Sequence, residues 1–114
     1  MILIVGSETS GKRSYARSLG YADDQMADGF IDESPVIFNV QDLLRADSAK
    51  TDELFELLLS KQVVICNEVG SGVIPANEAD IRYREAVGRL CVRLAAHADR
   101  VVRMVCGIPV LLKG

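Results

Sequence analysis

The sequence lacks any hydrophobic run long enough to cross a membrane. Its apolar runs, such as residues 57–59 and 110–112, are far shorter than the roughly 20 residues that a membrane-spanning helix needs. The N-terminal residues show neither a basic leader nor a small-residue cleavage site. We therefore expect a cytoplasmic protein that does not insert into a membrane.

Cysteine is scarce and lacks a metal-binding pattern. The three cysteines, Cys66, Cys91 and Cys106, form no C-x-x-C pair, and the chain has one histidine. An odd number without such spacing argues against a disulfide framework and against a zinc site. We expect three buried thiols.

A surplus of positive charge is also missing. The net charge is -3, whereas a protein that binds nucleic acid would carry a basic face. Arginines do gather between Arg82 and Arg103, but the solvated side of an amphipathic helix explains them. No nucleic-acid partner is predicted.

What the sequence does contain is an ordinary globular balance, with 49% hydrophobic and 25% charged residues in 114 positions. This length and composition predict one domain over residues 1–114. Apolar segments typical of buried strands alternate with helical patterns, which predicts a three-layer α/β domain. Its mostly parallel sheet should have about five strands, followed by a C-terminal antiparallel strand. The strands located by pattern are residues 2–5, 36–40, 63–66, 101–105 and 110–112, and the helices are 12–19, 51–61 and 77–98.

The acidic segment between residues 21 and 33 shows no clear periodicity, so we interpret it as a loop or a single helical turn. Its carboxylates could bind a metal, but acidic loops are more often simply solvated. No metal ligand is assigned.

A glycine loop at residues 6–14 carries the strongest functional signal. Gly6, Gly11 and Lys12 have the spacing of the phosphate-binding P-loop, G-x-x-x-x-G-K-[ST], between a predicted strand and a predicted helix. Backbone N–H groups and the lysine would hold the phosphates of ATP or GTP. Arg13 stands where the motif has the hydroxyl that binds Mg²⁺, so the loop could hold a nucleotide through positive charge without the metal. The alternative is a glycine turn that no longer binds a ligand, an interpretation that the acidic Glu8 favours.

Asn67 and Glu68 follow the third predicted strand. Side chains at the carboxyl end of a parallel strand face the ligand crevice of an α/β sheet. The alternative, weighted equally, is that they cap neighbouring backbone and tie the following glycine turn to the P-loop. We assign Lys12 and Glu68 as catalytic. The predicted nucleotide-binding residues are Gly6, Ser7, Glu8, Thr9, Ser10, Gly11, Lys12, Arg13, Ser14 and Asn67.

Residues 67–75, Asn-Glu-Val-Gly-Ser-Gly-Val-Ile-Pro, and the helix at residues 83–99 resemble the bifunctional adenosylcobinamide kinase/adenosylcobinamide-phosphate guanylyltransferases of cobalamin biosynthesis. The resemblance covers residues 1–20 and 62–114. It implies a P-loop NTPase-like (RecA-like) fold, a nucleotide and a corrinoid as ligands, and self-association. It also implies that the Asn-Glu pair lies near the nucleotide.

Several departures mark the chain as a shortened and divergent member of that family. The family's long segment after the P-loop helix contains the histidine that accepts GMP, whereas residues 21–35 are short and contain no histidine. Asn39 replaces the acid of the second strand, Cys91 replaces an asparagine, and Ser14 would need a shifted register to replace the hydroxyl missing at Arg13. His97 is expected at the surface, near a helix end.

These departures predict that guanylyl transfer is lost and that Mg²⁺-dependent phosphoryl transfer is weakened. Three hypotheses follow. The chain is an adenosylcobinamide kinase-like phosphotransferase, an inactive protein that binds a nucleotide or a corrinoid, or an assembly partner of a full-length relative.

Overall fold

One mixed sheet forms the centre of the structure. The computed structural model describes residues 1–45, 47–69 and 77–114. Within these ranges six strands form a single sheet in the order β2-β3-β4-β1-β5-β6. The pairs are parallel except for β5 and β6, which are antiparallel. The predicted mostly parallel sheet with a C-terminal antiparallel strand is therefore confirmed. The strands are β1 (Ile2–Gly6), β2 (Met26–Asp28), β3 (Val36–Phe38), β4 (Val63–Asn67), β5 (Arg100–Val105) and β6 (Ile108–Lys113).

Helices cover both faces of the sheet. Helix α1 (Lys12–Ser18) packs on one face, while α2 (Thr51–Leu58) and α3 (Glu78–His97) pack on the other. Successive strand residues point to opposite faces, so Leu3 contributes to the core under α2 and α3, and Ile4 to the core under α1. This is why β1 is a continuous apolar run, as strands buried on both faces require. The three-layer prediction is confirmed.

The acidic segment contains a strand that its sequence did not predict. A short 3-10 turn at Asp23–Gln25 leads into β2, which pairs in parallel with β3. Ala27 is the one fully buried side chain of β2, so the segment shows no apolar run. The interpretation of residues 21–33 as only a loop or a helical turn is wrong for residues 26–28.

The sequence predicts Asn77 as the cap of the helix at residues 77–98 and Thr51 as the cap of the helix at residues 51–61, and the structure confirms only the first. The Asn77 side chain accepts a hydrogen bond of 2.9 Å from the Asp80 N–H, as a helix cap should. The Thr51 hydroxyl instead donates to the Ser48 carbonyl at 3.3 Å, so its predicted capping role is wrong.

The spacing of apolar residues in the two longer helices predicts that Leu57 and Ile81 belong to their buried stripes, but both side chains are exposed. Leu57 of α2 and Ile81 of α3 are both more than two-fifths exposed. The buried stripe of α2 narrows to Leu54 and Leu58. That of α3 consists of Ala86, Val87, Leu90 and Leu94.

The three thiols differ in burial. Cys66 on β4 is buried, Cys91 on α3 is partly buried, and Cys106 is exposed in the turn between β5 and β6. The expectation of three buried thiols is therefore confirmed for Cys66, met only in part by Cys91 and wrong for Cys106.

Two further sequence predictions concern the glycine turn after β4 and the absence of a membrane-spanning helix. The glycine turn predicted after Glu68 covers residues 69–75, of which 70–75 lie outside the described residues. Within the described ranges, no helix combines the length and the apolar character needed to span a membrane.

Candidate functional site

A cleft of about 430 Å³ opens at the carboxyl ends of four neighbouring strands, β1 to β4. Ligand crevices of parallel α/β sheets lie at this edge, and the volume falls within the usual range of small-molecule sites. Its wall consists of Glu8, Thr9, Ser10, Gly11, Lys12, Arg13, Ser14, Arg17, Asp28, Phe38, Asn39, Ile65 and Asn67.

The path of the loop between β1 and α1 depends on its glycines. A Cβ atom on Gly6 would lie 2.6 Å from the Ser10 Oγ and 2.8 Å from the Met104 carbonyl oxygen. Gly11 has a φ of 93°, and a Cβ there would lie 3.3 Å from the Cα of Gly107. The loop is thus packed against β5 and the turn that follows it, and only glycine fits at its two ends.

Lys12 begins α1 and is buried beneath the loop, with 8% of its surface exposed. Its Nζ donates hydrogen bonds to the Ser7 carbonyl and, at 3.4 Å, to the Ser10 Oγ. Burial lowers the pKa of Lys12, although the nearby Cys66, Glu8 and Glu68 oppose this shift. No carboxylate among the described residues forms an ion pair with this ammonium group.

Arg13 and Ser14 lie side by side in the cleft wall. The Arg13 guanidinium stacks over the Phe38 ring, 4.7 Å from its centroid. The Ser14 hydroxyl accepts a long hydrogen bond of 3.5 Å from Arg17. A hydroxyl is therefore present in the wall, one position after the place where the P-loop pattern expects it.

A chain of polar side chains connects the ends of β2, β3 and β4. The Asn39 amide donates to the Asp28 carboxylate at 2.6 Å, and the Gln41 amide donates to the Asn39 oxygen at 3.4 Å. The Gln41 oxygen in turn accepts a hydrogen bond of 3.1 Å from the Asn67 N–H. Gln41 is 4% exposed, so this connection is anchored in the protein interior.

Glu68 points away from the cleft. Its backbone N–H donates to the Gly6 carbonyl at 2.8 Å, and its carboxylate binds the Arg103 guanidinium at 2.8 and 3.1 Å. Of the predicted site residues, Gly6, Ser7 and Glu68 lie behind or beside the wall, while the others line it. The contacts of Glu68 are those of the alternative interpretation, in which it ties neighbouring backbone to the loop.

Sequence reasoning did not assign Arg17, Asp28, Phe38, Asn39 or Ile65 to the cleft. Phe38 ends β3 and Asn39 follows it; both lie within the strand predicted at residues 36–40, so their position was a usable signal. Asp28 ends a strand that the sequence did not reveal. In the described parts of the chain, no three His, Cys, Asp or Glu side chains come together as a metal site. The carboxylates of the wall are Glu8 and Asp28.

Comparison with known proteins identifies similar sequences. A family model described as cobinamide kinase / cobinamide phosphate guanyltransferase matches residues 31–112. The bifunctional adenosylcobalamin biosynthesis protein CobU of Escherichia coli is 32% identical over 85 residues, which cover 72% of this chain and 47% of that protein. CobU of Salmonella typhimurium is 44% identical over 54 residues, covering 47% of this chain and 30% of that protein. The corresponding CobP of Pseudomonas aeruginosa is 38% identical over 52 residues, covering 46% of this chain and 30% of that protein.

The chain therefore spans less than half the length of these curated relatives. The residues matched by the family model begin after the glycine loop.

Proposed function

The chain belongs to the cobinamide kinase / cobinamide phosphate guanyltransferase family, and from this premise we propose that its cleft binds the phosphates of ATP or GTP for a kinase reaction of cobalamin biosynthesis. The observation that carries the proposal is the position of Lys12 beneath the glycine loop. A buried ammonium group without a carboxylate partner favours an anion in the adjacent space.

The loop backbone supports the same ligand. Within the described residues, the N–H groups of Glu8, Thr9 and Gly11 donate to no protein acceptor. N–H groups that converge beside a lysine in a glycine loop are the donors that cradle phosphate oxygens. The nucleotide phosphates would thus lie over the loop, and Asn67 would flank them from β4.

A kinase fits this chain better than a guanylyltransferase that works through a histidine intermediate. The single histidine, His97, lies at the last position of α3, where its ring meets the Phe55 ring edge-on at 6.4 Å between centroids. It is not part of the cleft wall. The proposed acceptor of the phosphoryl group is a corrinoid hydroxyl, by analogy with the family name.

A second candidate function is nucleotide binding without turnover. Arg13 supports it, because a guanidinium neutralises phosphate charge but cannot replace a hydroxyl as a Mg²⁺ ligand. The two candidates differ in whether γ-phosphoryl transfer to adenosylcobinamide occurs, which labelled ATP or GTP would reveal.

Calorimetric titration with ATP and with GTP, each with and without Mg²⁺, tests nucleotide binding. Lys12→Ala should weaken binding by about 10- to 100-fold, the loss of one charge-assisted contact. Lys50→Ala is the matched control, since Lys50 is an exposed lysine that precedes α2, outside the cleft wall. This variant should bind the nucleotide with the wild-type affinity. Absence of binding in every condition would refute the proposal. An unchanged affinity of Lys12→Ala would show that the nucleotide binds at a site that does not include Lys12.

A further inference from the structure

We propose that Asp28 is the carboxylate that holds a nucleotide-bound Mg²⁺ in the cleft, replacing the acid that is missing at Asn39. The inference rests on the proposed nucleotide site, but it concerns a residue that neither the loop pattern nor the family resemblance assigns. Its basis is the placement of Asp28 beside the end of β3.

Asp28 and Asn39 lie at the same edge of the sheet. In the parallel pairing of β2 with β3, Asp28 is opposite Phe38, and Asn39 follows directly. The Asn39 Nδ2 and the Asp28 Oδ1 are 2.6 Å apart. A carboxylate is therefore present one hydrogen bond away from the position where the second predicted strand would carry its acid.

The surrounding side chains fix the orientation of this carboxylate. Asn39 has a φ of 56°, in the left-handed region that asparagine tolerates, and its side-chain oxygen accepts from the buried Gln41. Gln41 is held by the Asn67 N–H at the end of β4. One Asp28 oxygen is thus positioned by the protein, while its Oδ2 contacts no hydrogen-bond donor or cation among the described residues.

Neither of the two neighbouring arginines, Arg17 and Arg13, neutralises the charge of Asp28. Arg17 pairs with Asp23 at 2.6 Å, and Arg13 stacks on Phe38. Neither forms an ion pair with Asp28 within the described part of the chain. The carboxylate therefore faces the cleft without a cationic partner, although it shares the wall with the phosphate-binding loop.

Mg²⁺ fits this arrangement better than a metal that needs a protein cage. It keeps several waters and is commonly held by one or two carboxylates together with substrate phosphates. The described residues offer no three-ligand group, so the metal should bind only together with the nucleotide. Asp28 would contribute either a direct oxygen ligand or an acceptor for a metal-bound water.

The test measures affinity, not turnover. A non-hydrolysable analogue of ATP or GTP is titrated with and without Mg²⁺ into the wild type and Asp28→Asn. We expect Mg²⁺ to raise the wild-type affinity about tenfold, the size of one charged interaction. Asp28→Asn should lose this gain and keep its Mg²⁺-free affinity. Asp24→Asn, which removes an exposed acid of the same segment outside the cleft wall, should behave as the wild type.

A double variant, Asp28→Asn with Asn39→Asp, exchanges the two side chains and preserves the hydrogen bond between them. It should recover the Mg²⁺ gain, because the carboxylate remains at the same edge of the cleft. Electron paramagnetic resonance of Mn²⁺ gives a second readout, since the analogue should immobilise Mn²⁺ on the wild type and on the double variant, but not on Asp28→Asn.

The outcomes separate this inference from the proposed function. If the analogue binds but Mg²⁺ has no effect on the wild type, or if Asp28→Asn keeps the gain, the role of Asp28 is refuted and the nucleotide site stands. If no nucleotide binds in any condition, both proposals fail.

Discussion

Glu68 and Arg103 form a two-point ion pair across the end of β1. Glu68 follows β4 and Arg103 lies on β5, the two strands that flank β1 in the sheet. Gly6, the last residue of β1, is paired with both neighbours, and its carbonyl accepts the Glu68 N–H. The pair therefore closes over the point where the chain leaves the sheet to form the glycine loop.

This pair should contribute modestly to stability. A double-mutant cycle with Glu68→Gln and Arg103→Met, measured by urea unfolding, should give a coupling of about 0.5–1 kcal/mol, because both side chains remain partly exposed to water. The Arg89–Glu85 pair, longer and more exposed, serves as a comparison and should couple less. Strictly additive effects of the two substitutions would show that the Glu68–Arg103 contact does not stabilise the fold.

Gly6 should not tolerate a side chain. Gly6→Ala places a Cβ against the Met104 carbonyl, a backbone atom that cannot move aside easily. We expect a loss of about 2–4 kcal/mol in the free energy of unfolding, from overpacking and backbone strain. Gly88→Ala in α3 is the matched control: its Cβ meets nothing within 4 Å, so it should gain up to about 1 kcal/mol from helix propensity. Equal effects of the two substitutions would contradict the packing seen around Gly6.

Lys12 should make nucleotide affinity sensitive to alkaline pH. Burial lowers its pKa below the ordinary value of 10.5, so the ammonium group loses its proton earlier than a solvated lysine would. Since the charged form attracts phosphate, the dissociation constant should increase as pH rises through this lowered pKa. Lys12→Arg should show a flat profile, because its guanidinium stays charged. Parallel profiles for the two proteins over pH 7–10 would argue against a role for the Lys12 charge.

The three thiols should react in order of exposure. Iodoacetamide should modify the native protein first at Cys106, then at Cys91 and last at Cys66. Hydrogen bonding with Cys91, together with burial, raises the pKa of Cys66 well above its usual range and keeps it protonated. Mass spectrometry of a time course gives the order, and early labelling of Cys66 would be inconsistent with its place in the core.

The sequence predicted the parts of the fold that depend on continuous patterns. The apolar runs of β1 and β4, the helix cap at Asn77 and the antiparallel closing strand are all present. These features are local, so a short window of sequence contains them.

The parts that the sequence missed depend on pairing and direction. Strand β2 has three residues and one fully buried side chain, so its existence depends on β3 alone. Its end residue Asp28 was consequently treated as one acid among many. The position of Glu68 after a parallel strand was read correctly, but its side-chain direction is set by Arg103, which lies 35 residues away. Neither relationship is visible in a local pattern.

The most direct test of the account locates the phosphates on the molecule. Two-dimensional ¹H–¹⁵N nuclear magnetic resonance of the wild type, recorded with increasing ATP or GTP, should show shifts in the amide signals of residues 8–14 and of Asn67. Lys12→Ala should suppress these shifts. A second, smaller hollow of about 230 Å³, between the start of α2 and the Arg89–Arg93 side of α3, should be unaffected. Shifts confined to that hollow, or none in the glycine loop, would contradict the proposed nucleotide site.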